Sequence, residues 1–217
     1  MMEKIDKFYE KIHGSYFGII GLSINVICMT ISIGLVLLID PMFSFFTYYI
    51  SDLGTVRNGA HIVFSTGMML TSIFFFLFLL FLTRCFQKKS EGEKFLKISY
   101  IFVFLVLVGL FFVGFIAYDV NPLAHRFIGT VPFFIGIIML SVIFTKLELS
   151  FQEFPKIIIV IGVALTFSSI VFLIFVISFT IVPELRVFPL SSFSQWIFFF
   201  TVILWVLAHT LYTLKQK

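Results

Sequence analysis

Arginine, histidine and acidic residues gather in three short segments that separate long apolar runs. Arg57, Arg126 and Arg186 occur one to a segment. The acidic residues near them are Asp40 and Asp52 for Arg57, Asp119 for Arg126, and Glu184 for Arg186. Because a guanidinium group binds phosphate or carboxylate through two parallel hydrogen bonds, two interpretations stay open. Either acid–arginine pairs tie the loops together, or the arginines keep positive charge for an anionic ligand.

Two histidines, His61 and His125, lie beside these arginines. With Asp52 and Asp119 they form either an acid–base set or a metal site, and the alternative is a pair of interfacial histidines bonded to loop groups. The sequence indicates no particular cofactor and leaves catalysis open. The candidate catalytic residues are Asp52, Asp119 and His125, and the candidate anion-binding residues are Arg57, Asn58, His61, Arg126 and Arg186.

Long apolar runs must position these segments. The chain has 217 residues, 60% hydrophobic and 12% charged, with a mean hydropathy of +1.14. A run of about 20 apolar residues spans a bilayer core, and continuous runs favour helices over strands. We therefore predict an all-α protein, a six-helix transmembrane bundle in one domain over residues 14–217. The predicted spans are Tyr16–Ile39, His61–Leu82, Ile98–Tyr118, Pro122–Phe144, Ile157–Val182 and Phe193–Leu214.

The basic residues predict the orientation of the bundle. All eleven lysines and Arg84 lie in the N-terminus, in 83–97, in 145–156 or in the C-terminus, and the other three arginines lie in the alternate segments. Because cytoplasmic loops are rich in Lys and Arg, both termini are predicted to be cytoplasmic. The net charge of +4 follows from the same rule and does not indicate a nucleic-acid partner. We expect a multi-pass protein of a prokaryotic plasma membrane, with membrane lipids as its partners.

The N-terminal residues 1–13 are predicted to form an amphipathic helix at the membrane surface, because apolar side chains recur there at helical spacing. Gly14, Gly18 and Gly21 follow at spacings of four and three residues. Such small residues let helices approach closely in lipid, either within the chain or in a homo-oligomer. The apolar positions of the N-terminal helix are Ile5, Phe8, Tyr9 and Ile12.

The connections between spans also carry signals. The aromatic segment Pro41–Ala60 is expected at the headgroup level or as a cap over the bundle. Asn121 with Pro122 predicts a capped helix start, and Ser192 with Gln195 predicts a capping box. The spans carry no Asp, Glu, Lys or Arg in their middle, which argues against an ion-coupled transporter.

The segment Tyr49–Gly54, YISDLG, resembles an uncharacterised family of six-helix prokaryotic membrane proteins of unknown function. Those proteins carry a Ser-x-Leu-Gly segment after the first span, an Asn soon after it, and a His that opens the fourth span. They also tend to have an acidic–Arg pair before the last span, which Glu184 and Arg186 match with one residue inserted. The motif positions here are Ser51, Leu53, Gly54, Asn58 and His125.

More remotely, the chain is similar to the eukaryotic DRAM-like six-helix proteins. Their Ile-Ser-Asp-x-Gly-Thr matches Ile50–Thr55, and their His-x-x-Gly followed by Phe resembles His125–Gly129 with Phe133 and Phe134. Relatives of that group act in lipid-anchor remodelling and endomembrane function. The resemblance therefore implies six helices, an external polar site and a function that involves lipids.

The leading hypothesis is a protein that recognises a lipid headgroup or another anion at its external face. Arg57 and Arg126 would hold the phosphate, Asp52 and His125 would orient the headgroup, and Ser51 would cap its turn. One alternative is a lipid-modifying hydrolase or transferase that uses the external Asp and His residues. Another is a small-solute channel or transporter.

Overall fold

The computed structural model describes residues 2–90, 94–181 and 188–216, and this part of the chain is helical without strands. Six of its helices are long and apolar enough to cross a membrane, which confirms the predicted all-α six-helix architecture. A short 3-10 helix, Ile50–Gly54, lies between the second and third helices. The helices are α1 (Met2–Lys11), α2 (Ser15–Leu37), α3 (Ala60–Lys89), α4 (Lys94–Phe115), α5 (Pro122–Ser150), α6 (Lys156–Ile181) and α7 (Phe188–Lys215).

The two ends of the bundle differ in what they carry. Ser15 Oγ lies 2.8 Å from Thr213 Oγ1, so the start of α2 and the end of α7 lie together. We call this the terminal end, and it also carries α1. We call the opposite end, with the connections 38–59 and 116–121, the loop end. Its assignment to the external side remains a prediction from the lysine distribution.

The predicted N-terminal helix is present as α1, and it lies against α3, a contact that the sequence did not predict. The Asp6 carboxylate accepts hydrogen bonds from Arg84 Nε at 2.8 Å and Nη2 at 2.7 Å, and Lys88 Nζ lies 3.3 Å away. Tyr9 OH donates to the carbonyl oxygen of Leu77 at 2.6 Å. Phe8 stacks on Phe17 of α2 with ring centroids 5.8 Å apart and is still partly exposed, where a membrane interface would cover it.

Small residues of α2 allow close packing inside the chain. A Cβ added at Gly14 would collide with Phe81 of α3, and one added at Gly18 would collide with Thr210 of α7. Gly21 faces Phe75 of α3 in the same way. This face of α2 is therefore packed closely against helices α3 and α7 of the same chain.

Aromatic rings fill the centre of the bundle, and apolar side chains cover its outer faces. Phe78 of α3, Phe144 of α5 and Trp205 of α7 are fully buried, and the last two stack with centroids 5.9 Å apart. Helix α5 continues to Ser150, six residues beyond its predicted end. The prediction that placed Glu148 in a loop is therefore wrong, because Glu148 lies in the helix with its side chain fully buried.

Candidate functional site

The connection 38–59 folds over the loop end and is fastened to the first turns of α7. This confirms the prediction that the aromatic segment lies as a cap over the bundle, and we call residues 38–59 the cap. The predicted capping box of Ser192 and Gln195 is wrong, because α7 already begins at Phe188 and both side chains bond to the cap instead. The bonds are Ser192 Oγ to Phe46 O at 2.6 Å, Ile50 N to Gln195 Oε1 at 2.7 Å, Trp196 Nε1 to Tyr48 O at 2.8 Å, and a contact between Tyr49 OH and Ser191 Oγ.

The two acidic residues of the cap hold its own backbone. Asp52 Oδ2 accepts from Tyr49 N at 2.8 Å and so caps the 3-10 helix. Burial raises the pKa of Asp52, and the Tyr49 N–H opposes that rise. Asp40 accepts from Met42 N at 3.0 Å and from Tyr48 OH at 2.7 Å. The hydrogen bond to the Asp40 carboxylate raises the pKa of Tyr48 to about 12.

Arg57 pairs across the loop end rather than within its own loop. Its Nη2 donates to Asp119 Oδ2 at 2.6 Å, so the acid–arginine pair joins the second and fourth helix connections. Asp119 was expected beside Arg126. The cross-loop partner follows from how the helices bring these two connections together, which the chain order does not reveal.

Asn58 and His61 build the start of α3. Asn58 Nδ2 donates to the carbonyl oxygen of Leu35 at 2.5 Å, and its Oδ1 accepts from Ala60 N at 3.1 Å. Gly59 has φ +99°, a left-handed conformation that a glycine adopts without strain. His61 Nδ1 lies 3.1 Å from Val56 O. These contacts give both side chains a structural role at the helix start.

Arg126 has an aromatic partner instead of a carboxylate. Its Nη2 donates to Tyr118 OH at 2.7 Å, and its guanidinium carbon lies 5.4 Å from the centre of the Tyr118 ring. No carboxylate lies within ion-pair distance of Arg126 in the part of the chain that the structure describes. The predicted N-cap at the start of α5 is also confirmed, because Asn121 Oδ1 accepts a hydrogen bond from Ala124 N at 3.0 Å.

His125 opens a π-helical stretch of α5, His125–Thr130. Such stretches often mark functional sites in helices. The His125 ring is buried, and its Nδ1 lies 2.6 Å from the carbonyl oxygen of Ile116. Because a carbonyl oxygen only accepts, Nδ1 carries a proton, and in the neutral imidazole Nε2 is then an acceptor.

A mainly apolar cavity of about 70 Å³ lies beside His125 under the cap. Its polar lining comes from Asn25, Ser51, His125, Thr130 and Gln195. The Asn25 side chain is buried, its Nδ2 lies 3.7 Å from Met68 Sδ, and its Oδ1 has no hydrogen-bond partner among the described residues. A space of this size holds a few water molecules or a small group, but not a whole lipid.

The predicted site residues are thus spread over the loop end. His61, His125, Asp52 and Asp119 each bond to a different loop or helix group and do not come together as metal ligands. No group of three or more His, Cys, Asp or Glu side chains suited to a metal occurs within residues 2–90, 94–181 and 188–216. The predicted pair of Glu184 with Arg186 lies outside the described residues.

A comparison with protein families decides the membership of the chain. A family described as a protein of unknown function, DUF998, matches residues 19–212. The chain belongs to this family. No curated protein and no solved structure matches it. The DUF998 description carries no activity.

Sequence reasoning missed three contributors to the site of this DUF998 chain. Tyr118 holds Arg126, and Gln195 and Trp196 fasten the cap. Gln195 and Trp196 lie near the start of the last apolar run, where a polar or amphipathic side chain indicates a contact with the headgroup region or with a loop. Gln195 was interpreted as part of a helix capping box alone, and Trp196 was not singled out.

Proposed function

We propose that this protein binds the anionic headgroup of a membrane lipid at the loop end, with Arg126 as the principal contact. The observation that carries the proposal is the partner of Arg126, a neutral tyrosine. The guanidinium at this position keeps its positive charge, whereas Asp119 neutralises the charge of Arg57. A guanidinium with free donors is suited to a phosphate or carboxylate.

Two further features favour an anion at Arg126. The residue lies in the first turns of α5, where the helix dipole places partial positive charge. Leu123 and Phe127, its neighbours on the same helix, are each about two-thirds exposed, at 66% and 67%. Apolar side chains exposed in this way face acyl chains in a membrane. A lipid can thus reach Arg126 sideways from the bilayer, which favours a lipid over a soluble anion.

The proposal is tested by ligand-dependent thermal unfolding of the purified protein. We expect short-chain phosphatidic acid to raise the unfolding temperature more than diacylglycerol of the same chain length or inorganic phosphate. The Arg126→Ala variant should lose the preference for the phosphate-bearing lipid. Equal shifts with all three probes, or an unchanged preference in Arg126→Ala, would overturn the proposal.

A second candidate is chemistry on the bound lipid, and His125 is the observation that favours it. The His125 residue lines the cavity, and Nε2 of its neutral ring can serve as a general base. The expected result is an altered lipid composition of host membranes when His125→Gln replaces the wild type. An unchanged composition at equal expression would remove the enzymatic candidate and leave lipid binding in place.

A further inference from the structure

Glu148 of α5 and His209 of α7 form a hydrogen-bonded pair inside the terminal end of the bundle. Glu148 Oε1 lies 2.6 Å from His209 Nε2, and both side chains are fully buried. His209 Nδ1 lies 2.8 Å from the carbonyl oxygen of Trp205. Both ring nitrogens therefore face oxygen atoms. Ionisable side chains in this position are costly in a membrane and commonly mark functional sites.

The two oxygen atoms determine how many protons the pair carries. The Trp205 carbonyl can only accept, so His209 Nδ1 must carry a proton. The short contact between Nε2 and Oε1 needs one more proton, held either by the imidazolium or by the carboxylic acid. Without it, a carboxylate would face an imidazole lone pair where no solvent screens them. One shared proton therefore lies between Glu148 and His209.

More polar atoms lie around this pair without a hydrogen-bond partner among the described residues. They are Glu148 Oε2, Thr145 Oγ1 and Trp205 Nε1, all buried. A Cβ added at Gly162 would collide with Thr145 Oγ1 and lie 3.6 Å from Trp205 Nε1, so the glycine gives both groups room. Together they offer the donors and acceptors that a bound water or a mobile proton requires.

The remaining neighbours of the pair are mainly aromatic. The ring of His209 lies 6.4 Å from that of Phe86 of α3 and 6.5 Å from that of Phe154 in the connection to α6. The titratable groups next to these rings are Lys89, whose Nζ lies 6.0 Å from the centre of the Phe154 ring, and Tyr212, which packs on Phe154 at 4.5 Å. Neither Lys89 nor Tyr212 is bonded to Glu148 or His209, so neither group replaces the shared proton.

We propose that Glu148 and His209 form a proton-binding site that exchanges its proton with the aqueous phase at the terminal end. Glu148 lies two residues before the end of α5, and His209 lies six residues before the end of α7, about 9 Å along the helix axis. On loading, a hydronium ion gives its proton to the Oε1–Nε2 contact and becomes water, and the charge of the pair changes from −1 to 0. Release is the reverse step. This inference is independent of lipid binding at Arg126.

Infrared difference spectroscopy of the protein in lipid bilayers tests the site directly. We expect a carboxyl band that changes when the pH of the perfusing buffer is changed. The band should be lost in Glu148→Gln, moved to another pH in His209→Gln, and kept in the control His61→Gln. In Glu148→Gln the new amide can donate to His209 Nε2, which preserves the hydrogen bond and the fold. A spectrum with no pH-dependent band that Glu148→Gln removes would overturn the proposal and leave a purely structural hydrogen bond.

A second measurement needs no substitution at the pair. In protein labelled with ¹⁵N-histidine, the Nε2 resonance of a buried ring that exchanges a proton should move with pH. The half-buried His61 and the buried His125 are assigned by the loss of their resonances in His61→Gln and His125→Gln. If the resonance of the other buried ring, His209, does not move over the pH range in which the protein stays folded, the proton is fixed and the proposal fails.

Discussion

Arg57 Nη2 lies 2.6 Å from Asp119 Oδ2, and this pair connects two loops that are far apart in the chain. The side chains are 53% and 41% exposed, so solvent screens their attraction. The larger consequence concerns charge. Because Asp119 is held by Arg57, it does not neutralise Arg126, and Arg126 is left with Tyr118 as its partner. The pairing therefore decides which arginine can bind an anion.

We expect the Arg57–Asp119 pair to contribute little to stability. A double-mutant cycle of Arg57→Ala and Asp119→Ala should give a coupling energy of about 0–1 kcal/mol, as for other exposed ion pairs. Thermal or denaturant unfolding in a mild detergent measures it. A coupling of about 3 kcal/mol would mean that the pair is desolvated in the membrane, contrary to the exposure observed here.

Substitution of Asp52 should separate its capping role from its charge. Asp52→Asn keeps an acceptor for Tyr49 N and removes a half-buried charge, whereas Asp52→Ala leaves the Tyr49 N–H unpaired and should cost about 1 kcal/mol. The folded pKa of Asp52 is raised above its ordinary 3.8 by burial. The stabilisation that this pKa difference gives the folded protein is therefore complete below pH 3.8, and it is lost as the pH rises through the folded pKa of Asp52.

The pH profile of unfolding measures this difference. Asp52→Asn should be at least as stable as the wild type at neutral pH, and the two should converge in acid. If Asp52→Asn is as unstable as Asp52→Ala at neutral pH, the carboxylate charge itself is required and the capping account is wrong.

The cap should loosen when its hydrogen bonds to α7 are removed. Trp196→Phe deletes the bond from Nε1 to Tyr48 O, which is worth about 1 kcal/mol, and we expect faster amide hydrogen exchange in 46–54. Trp205→Phe is the matched control, because Trp205 Nε1 has no hydrogen-bond partner among the described residues. Equal exchange in the cap for both variants would contradict the fastening described here.

Helix α1 should detach from α3 in acid. Hydrogen bonds from Arg84 lower the pKa of Asp6 from 3.8 to about 2, and Lys88 adds to the effect. Because the pKa of Asp6 is lower in the folded protein than in the unfolded chain, its stabilising effect is present above pH 3.8 and is lost as the pH falls towards 2. Asp6→Asn should release α1 already at neutral pH, as measured by protease sensitivity of the N-terminus. Glu10→Gln, a change at an exposed position of the same helix, is the control and should leave the N-terminus protected.

The sequence was sufficient to predict the helices but not the contacts between them. Apolar runs located all six spans, and the pattern of Ile5, Phe8, Tyr9 and Ile12 located α1. Asn121 with Pro122 located the start of α5. These signals are local, so neighbouring residues are enough to recognise them.

The partners of the polar side chains depend on helix packing, and here prediction failed. Asp119 bonds to Arg57 across the loop end of the bundle. Arg126 is much nearer to Asp119 along the chain, and for that reason it was the predicted partner. Glu148 looked like a loop residue because Lys146 and Glu148 interrupt the apolar run, yet the helix continues and buries the carboxylate against His209. A distance of 61 residues along the chain hides that pair from any local pattern.

Native mass spectrometry tests lipid binding at Arg126 most directly. Wild type, Arg126→Ala and the double variant Arg57→Ala/Asp119→Ala, which leaves no freed carboxylate, are purified from the same membranes in the same mild detergent, and their bound lipids are identified by mass. We predict a phosphate-bearing lipid on the wild type and on the double variant, and its loss from Arg126→Ala. Wild-type protein without a bound lipid, or equal lipid retention by all three proteins, would contradict the account.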